Sequence, residues 1–408
     1  MMKSIKPKET FAALQYPNYR LWFIGQIVSL VGTWMQATAQ GYLIYDLTKS
    51  DAFLGYVSFA NGLPTLLFTL FGGVVADRIP RRRMIVITQS SMMVLAAILA
   101  ALTFTHLVQP WHIIVLAFLL GTANAFDAPA RQSFVSELVE HAHMTNAIAL
   151  NSTMFNIGTV VGPAFAGMVY AWVGPSWCFT INAASFIAVI AALLLMKLSG
   201  VLTPVIHASP MKELKEGLLY AWKEPTIHSL LVNLGIVGFF GFGLLTLLPA
   251  WAVDVLKGDV TTNGLLLSAR GVGSLIGALM IAAIGSKGTR GKVWMMGYVV
   301  SPIFLIFFAF MRWIPASLFM MMMAGWGLMA MINTTNALIQ SHVPDNLRGR
   351  VMGVYALVFM GGSPVGSLIA GWLADAIGEP PTVLIFSGVL LLMAAVTFFA
   401  RPQLRTLN

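Results

Sequence analysis

In a chain of 408 residues, a hydrophobic share of 58% and a charged share of 10% exclude an ordinary soluble protein, in which about a quarter of residues are charged. Lipid is the solvent for most of this chain, and no segment leaves room for a large soluble domain. The formal net charge of +9 is spread over many short loops rather than clustered on one soluble module, which excludes a nucleic-acid-binding surface.

Residues 1–20 are polar and basic and lack the short apolar core and cleavage site of a secretory leader, so the first span is expected to act as its own insertion signal. Apolar runs long enough to cross a bilayer, about 20 residues each, are expected at 20–47, 51–76, 84–105, 112–137, 146–174, 175–197, 227–253, 261–284, 292–312, 315–340, 350–376 and 381–400. Unpaired backbone groups are too costly in hydrocarbon, so such runs cross as helices; barrel strands would be half as long and alternating. The expected fold class is an all-α polytopic membrane protein with twelve transmembrane helices.

The first span carries Gln26, Ser29, Thr33, Gln36 and Gln40, three or four residues apart and therefore on one stripe of a helix. A polar stripe in lipid must face protein or a water-filled cavity, and a cavity is expected for one of five members. After the second span comes a short loop with one carboxylate and four arginines, from Gly73 through Asp77, Arg78 and Pro80 to Arg81, Arg82 and Arg83. Gly73 permits close helix approach, Asp77 suits the positive N-terminal end of a neighbouring helix, and the arginines can pair with carboxylates. Span four bears Asn124, Asp127 and Arg131, ending near Glu137; span five bears Ser152, Asn156 and Thr159. Span five also places Gly158, Gly162, Pro163 and Gly167 at a spacing that lets backbones touch, with a proline to bend the helix.

Leu198 to Thr226 is the most polar long segment. Met211, Leu214, Leu218 and Trp222 stand there at helical spacing opposite Lys212, Lys215, Glu216 and Lys223, so an amphipathic helix lying on the membrane surface is expected. In span eight, Arg270 is the one basic residue well inside a span, at a cost of about 2.5–3.5 kcal/mol on insertion scales. It needs a carboxylate, a cavity or an anionic substrate. Asp254, Asp375 and Asp46 are the candidate acids, and a substrate or coupling role is expected over an interhelical brace. Span ten carries Asn333, Asn336 and Gln340.

Gly158, Gly162, Gly167 and Gly174 recur 204 positions later as Gly362, Gly366, Gly371 and Gly378, which points to a duplicated six-helix unit. The basic loop is echoed by Lys287, Arg290 and Lys292 after span eight. Twenty of the 24 Lys and Arg residues fall in segments on one side of the membrane, so both termini are expected in the cytoplasm. Glu137, Glu140, His141 and His143 read as a solvated helix end rather than a zinc site, Met320 to Met323 as packing residues, and Gly271, Gly273 and Gly277 as helix contacts. No metal site, P-loop, H-E-x-x-H or G-x-S-x-G is present, and the lone Cys178 excludes an intramolecular disulfide, so neither an enzyme nor a cofactor is expected.

The loop from Gly73 to Arg83 resembles the signature joining the second and third helices of major facilitator transporters. The fifth-span glycines with Pro163 resemble the motif of the exporters among them, and Asp127-Ala-Pro129-Ala-Arg131-Gln resembles the bacterial branch of siderophore and macrolide efflux proteins. The resemblance implies two parallel six-helix repeats: an N-terminal bundle at 1–197, a cytoplasmic linker at 198–226 and a C-terminal bundle at 227–408. It further implies a secondary transporter of the bacterial inner membrane. Such a carrier is monomeric and alternates access of a central cavity, exporting an apolar or amphipathic small molecule at the expense of protons. An importer or lipid flippase of the same fold is the alternative. The first, fourth, seventh and tenth spans would surround the substrate. Asp77, facing the start of the eleventh span near Arg350, would latch the halves on the cytoplasmic side, with Asp127 and Glu137 as partners for Arg81 to Arg83 and Arg131 as a partner for Asp77. Pro80 stands where the family carries glycine. Ala117 stands where drug antiporters carry an arginine four residues before Gly121, so their proton relay is not implied.

Overall fold

The computed structural model describes residues 11–197, 210–284 and 290–407, with their side chains except at 70, 72–78, 210 and 282–284. Gly73, Asp77 and Arg78 of the loop signature, and Lys287 of its echo, therefore fall outside what is described at side-chain level.

Thirteen helices make up the described chain, with a few short 3₁₀ turns and no strand. In order they are α1 (Pro17–Thr48), α2 (Asp51–Arg78), α3 (Arg81–Phe104), α4 (Pro110–Leu138), α5 (Met144–Val173), α6 (Pro175–Leu195), α7 (Pro210–Lys223), α8 (Pro225–Val255), α9 (Val260–Ile284), α10 (Arg290–Phe310), α11 (Ile314–His342), α12 (Asp345–Ile377) and α13 (Glu379–Ala400). Prolines open α1, α4, α6, α7 and α8, where the missing N–H costs nothing. Among the described residues, eleven helices, α2–α6 and α8–α13, are long and apolar enough to span a membrane. The twelfth expected span is α1, whose 32 residues reach about 48 Å. Its polar stripe dilutes its hydropathy without shortening it. The helix ends also overrun the expected spans, because residues beyond the hydrocarbon still gain from continuing the hydrogen-bonded ladder.

The 204-residue register of the sequence reappears in space. Gly158 and Gly162 lie against α1: a Cβ on Gly162 would stand 2.5 Å from Trp34 Cβ. Their counterparts Gly362 and Gly366 lie against α8 at Gly235, Gly238 and Phe239. Gly167 meets α9 at Thr261, and Gly371 meets α2 at Asp51 and Gly55. Gly174 and Gly378 both adopt positive φ, +89° and +88°, each ending one helix immediately before the next begins. Only glycine takes that conformation without strain.

The most extensive contacts joining the halves are α2 with α12 and α5 with α9. Helix α8 is irregular, with π turns over Val237–Phe242 and a 3₁₀ stretch over Gly243–Leu247. A run of glycines ahead of Pro249 weakens its i→i−4 ladder there. Trp251, Trp294, Tyr298 and Phe386 are buried in the second half and Tyr19, Phe134, Phe179 and Phe186 in the first, while Ile187, Leu194, Leu392 and Phe399 point outward as a lipid-facing coat does. Helix α7 lies at the start of α12, its Gly217 against the Arg350 carbonyl and its Glu216 paired with Arg350 at 2.7 Å. Met211, Leu218 and Trp222 on the same helix are exposed.

Candidate functional site

A cavity of about 1380 Å³ lies between the halves and takes its walls from α1, α2, α4, α5 and α6 on one side and α8, α9, α11 and α12 on the other. One end reaches Trp22, Arg131, Val135 and Met144, at the ends of α1, α4 and α5 that carry most of the basic loops; this end is called the basic face below. The other end stops at Ile44, Leu54 and Pro249.

Beyond that stop, the opposite face is closed by contacts between the halves. Asp375 at the end of α12 accepts hydrogen bonds from the Asp51 N–H (2.8 Å) and the Ser50 hydroxyl (3.1 Å), capping the first turn of α2 from outside its own chain segment. Tyr45 donates to Asp254, Ser58 and Thr246 share a bond of 2.7 Å, and Trp372 donates to Tyr56 at 3.1 Å. Backbones touch where side chains are absent: a Cβ on Gly55 would lie 2.9 Å from the Ser367 carbonyl, and one on Gly264 would meet the Pro163 carbonyl. The glycines of the fifth-span motif thus serve two surfaces, Gly158 and Gly162 packing within their half and Gly167 across to the other.

Of the polar stripe on α1, Gln26, Thr33, Gln36 and Gln40 line the cavity, whereas Ser29 is buried away from it. Gln36 accepts a bond from Asn182 of α6 at 2.6 Å, which fixes its amide. Asn124, Asn156, Arg270 and Asn333 also line the cavity. Asn336 does not; its carbonyl oxygen accepts from Gln340 at 2.6 Å. Asp127 is fully buried behind the wall, where Arg131 pairs with it at 2.6 Å and Thr88 (2.6 Å) and Gln89 (3.2 Å) of α3 donate to it. Arg131 in turn donates to Gln26 at 3.3 Å. Of the basic loop, Arg81 pairs with Glu137 at 2.7 Å and Arg82 donates to the Leu194 carbonyl at 3.0 Å, both within the first half.

None of the acids considered for Arg270 pairs with it. Asp254 takes the Tyr45 hydroxyl, Asp375 the start of α2, and Asp46 pairs with Lys49 at 2.7 Å. Asn61, Asn151 and Asn263 line the cavity as well, and sequence reasoning had singled out none of them. Asn263 sits among Thr261 and Thr262 at the start of a span, a context that reads as a polar helix end. The one available signal was its spacing of seven from Arg270, two helical turns on one face. The wall is completed by apolar side chains including Trp34, Phe155, Phe186, Phe242 and Phe359.

Comparison with known proteins places this architecture. The profile of the transmembrane secretion effector family matches residues 8–408. The multidrug efflux pump Tap of Mycolicibacterium fortuitum is 29% identical over 388 residues, covering 92% of this chain and 94% of its own. The staphyloferrin A transporter of Staphylococcus aureus is 24% identical over 389 residues, covering 95% and 97%. Among solved structures, a bacterial homologue of the human lysosomal transporter Spinster, in an inward-facing and unoccupied conformation, superposes with a TM-score of 0.76 at 15% identity and 98% coverage of both chains, a likeness of fold.

Proposed function

The chain belongs to the transmembrane secretion effector family of major facilitator transporters, and on that premise we propose that it exports an apolar or amphipathic small molecule by alternating access, driven by protons. The observation that carries this reading is the cavity itself: both halves wall it, it reaches the basic face at one end, and direct contacts between the halves seal the other. The positive-inside bias assigns the basic face to the cytoplasm, so this conformation faces inward and is ready to load an outgoing solute. The relative named as a multidrug efflux pump supports the export direction.

Alternating access then requires the basic face to close when the opposite face opens. The residues for this are Asp77 at the end of α2 and the start of α12 near Arg350, with Arg78, Arg81, Arg82 and Arg83 pairing across the loop. In the inward-facing state Arg350 is engaged by Glu216 of α7 instead, so on this reading the latch and the linker helix compete for one end of α12. Asp77→Asn should slow turnover while leaving insertion intact; a normal transport rate would count against the latch.

Everted vesicles carrying the protein, with an imposed pH gradient, test the whole reading. Solute accumulation that follows the proton gradient and collapses with an uncoupler is expected. Accumulation in right-side-out vesicles instead would establish import, and no movement in either orientation would overturn transport of the solutes tried.

A further inference from the structure

The charges that meet the cavity are all of one sign. Arg131 and Arg270 line it and, among the described residues, no Asp or Glu does. Arg131 is neutralised from behind by Asp127. Arg270 is not: it is 8% exposed, no carboxylate among the described residues lies within ion-pair distance of it, and its Nε has no hydrogen-bond partner. Arginine stays protonated in proteins, so this is a permanent positive charge.

The groups packed around Arg270 leave the charge uncompensated. From α5, Thr159 and Val160 lie against the adjoining Gly271, the Val160 carbonyl being taken by Ser268; from α11, Gly325 lies against Arg270 itself, and Ser274 donates to the Gly325 carbonyl at 3.4 Å. None of these neighbours is ionised. Two turns earlier on the same face, about 10 Å along the axis, Asn263 is fully buried against the cavity with neither amide atom partnered. One helix thus presents a guanidinium and an amide, both unsatisfied, to a cavity whose other walls mix aromatic and aliphatic side chains with neutral polar ones. An unpaired buried charge is costly unless something brings it a counter-charge.

We propose that the cavity is selective for organic anions: an amphiphile whose acid group is held by Arg270, with Asn263 hydrogen-bonding a second polar group and the apolar body resting on the aromatic wall. Guanidinium pairs with an acid group by two parallel N–H···O bonds, which fixes orientation as well as charge. Cationic amphiphiles are disfavoured because the wall offers them no carboxylate. This rests on the cavity being the transport site proposed above.

Equilibrium binding separates the two readings. The protein in lipid nanodiscs is titrated with 11-(dansylamino)undecanoic acid, its primary amide and the matching terminal amine, with signal from empty nanodiscs subtracted. The acid should bind roughly 10- to 100-fold more tightly than the amide, the range that hydrogen bonds to a charged group confer. Arg270→Gln should reduce the acid to the affinity of the amide, and Arg270→Lys should restore part of the preference. Amide or amine binding as tightly as the acid to the unaltered protein would overturn the proposal, and that comparison needs no variant to fold. An undiminished acid preference in Arg270→Gln would overturn it too. Acid binding with the expected preference but no movement across proteoliposomes would support this site and overturn the transport reading.

Discussion

Asp375 offers a direct test of what holds the outer face shut. Its carboxylate receives the Asp51 N–H and the Ser50 hydroxyl at the first turn of α2, bonds made between the two halves only while that face is closed. Removing an N-cap acceptor costs about 1 kcal/mol, and hydrogen bonds to a charged acceptor are worth about 1.5–3 kcal/mol. The acidic groups of Asp51 and Glu379 stand nearby, and their repulsion when ionised offsets part of this, so a net loss of about 1–2 kcal/mol is expected for Asp375→Ala. That corresponds to a shift of roughly 5- to 30-fold toward the outward-open state. The reporter is Gly41→Cys, which lines the cavity and whose Cβ would stand 3.6 Å from Pro249, an ordinary contact; Cys178 is fully buried and is replaced by alanine. Labelling of intact cells with a membrane-impermeant maleimide should accelerate by that factor in Asp375→Ala. Asp375→Asn keeps an acceptor oxygen while relieving the repulsion, and should stay near the parent rate. An unchanged rate in Asp375→Ala, or a faster one in Asp375→Asn than in Asp375→Ala, would refute the reasoning.

Gly264→Val puts a branched side chain against the Pro163 carbonyl where α5 and α9 meet; overpacking of this kind costs about 1–3 kcal/mol, so outside labelling should rise, whereas Gly353→Ala, with open space at its Cβ, should be neutral. Asp127→Ala leaves Arg131 without its buried partner and should destabilise the first half by about 3 kcal/mol, read as a lower thermal midpoint in nanodiscs; Thr88→Val removes one of three donors to Asp127 and should cost less. If Asp127→Ala melts no lower than Thr88→Val, the ion pair contributes little. Glu216→Gln removes a half-exposed pair with Arg350, worth at most about 1 kcal/mol. Combined with Asp375→Ala, at the other end of α12, it should multiply the labelling rate independently, by no more than about fivefold; a double variant no faster than Asp375→Ala alone would deny that Glu216 holds the inward-facing state.

The features legible in the sequence were those written in local spacing. The stripe on α1 follows the helical period, and four of its five members line the cavity. The glycine register of 204 positions is a direct count, and it predicts corresponding helix contacts. Ser29 departed because a stripe of 3–4 spacing is wider than the strip of helix the cavity reaches. Asn336 departed because a side chain four residues away on its own helix satisfies it. What sequence could not supply were relations set by folding across long separations. Asn263 is buried only because Gly264 lets α9 close on α5 at Gly167, and the pairing of Glu216 with Arg350 joins a surface helix to a span 134 positions on. The acids considered for Arg270, Asp254, Asp375 and Asp46, are all engaged elsewhere, which turns the question of its partner into one about its ligand.

Helices α2 and α12 run antiparallel across the boundary between the halves, so each brings its C-terminal end to the N-terminal end of the other. At the outer face, Asp375 closing α12 meets the first N–H groups of α2. The proposed inner latch, Asp77 closing α2 against the start of α12, is the same device turned end for end. On the proposed alternating access, two rods pivoting about Gly55, Gly62 and Pro364 at their crossing would open one end as they closed the other, and the two caps would exclude each other by geometry. Their energies need not be large. Each cap contributes of the order of 1–2 kcal/mol, enough to set which face is open, yet small against what a bound solute or a proton gradient can supply. A transporter locked by stronger contacts on either face would be more stable and slower.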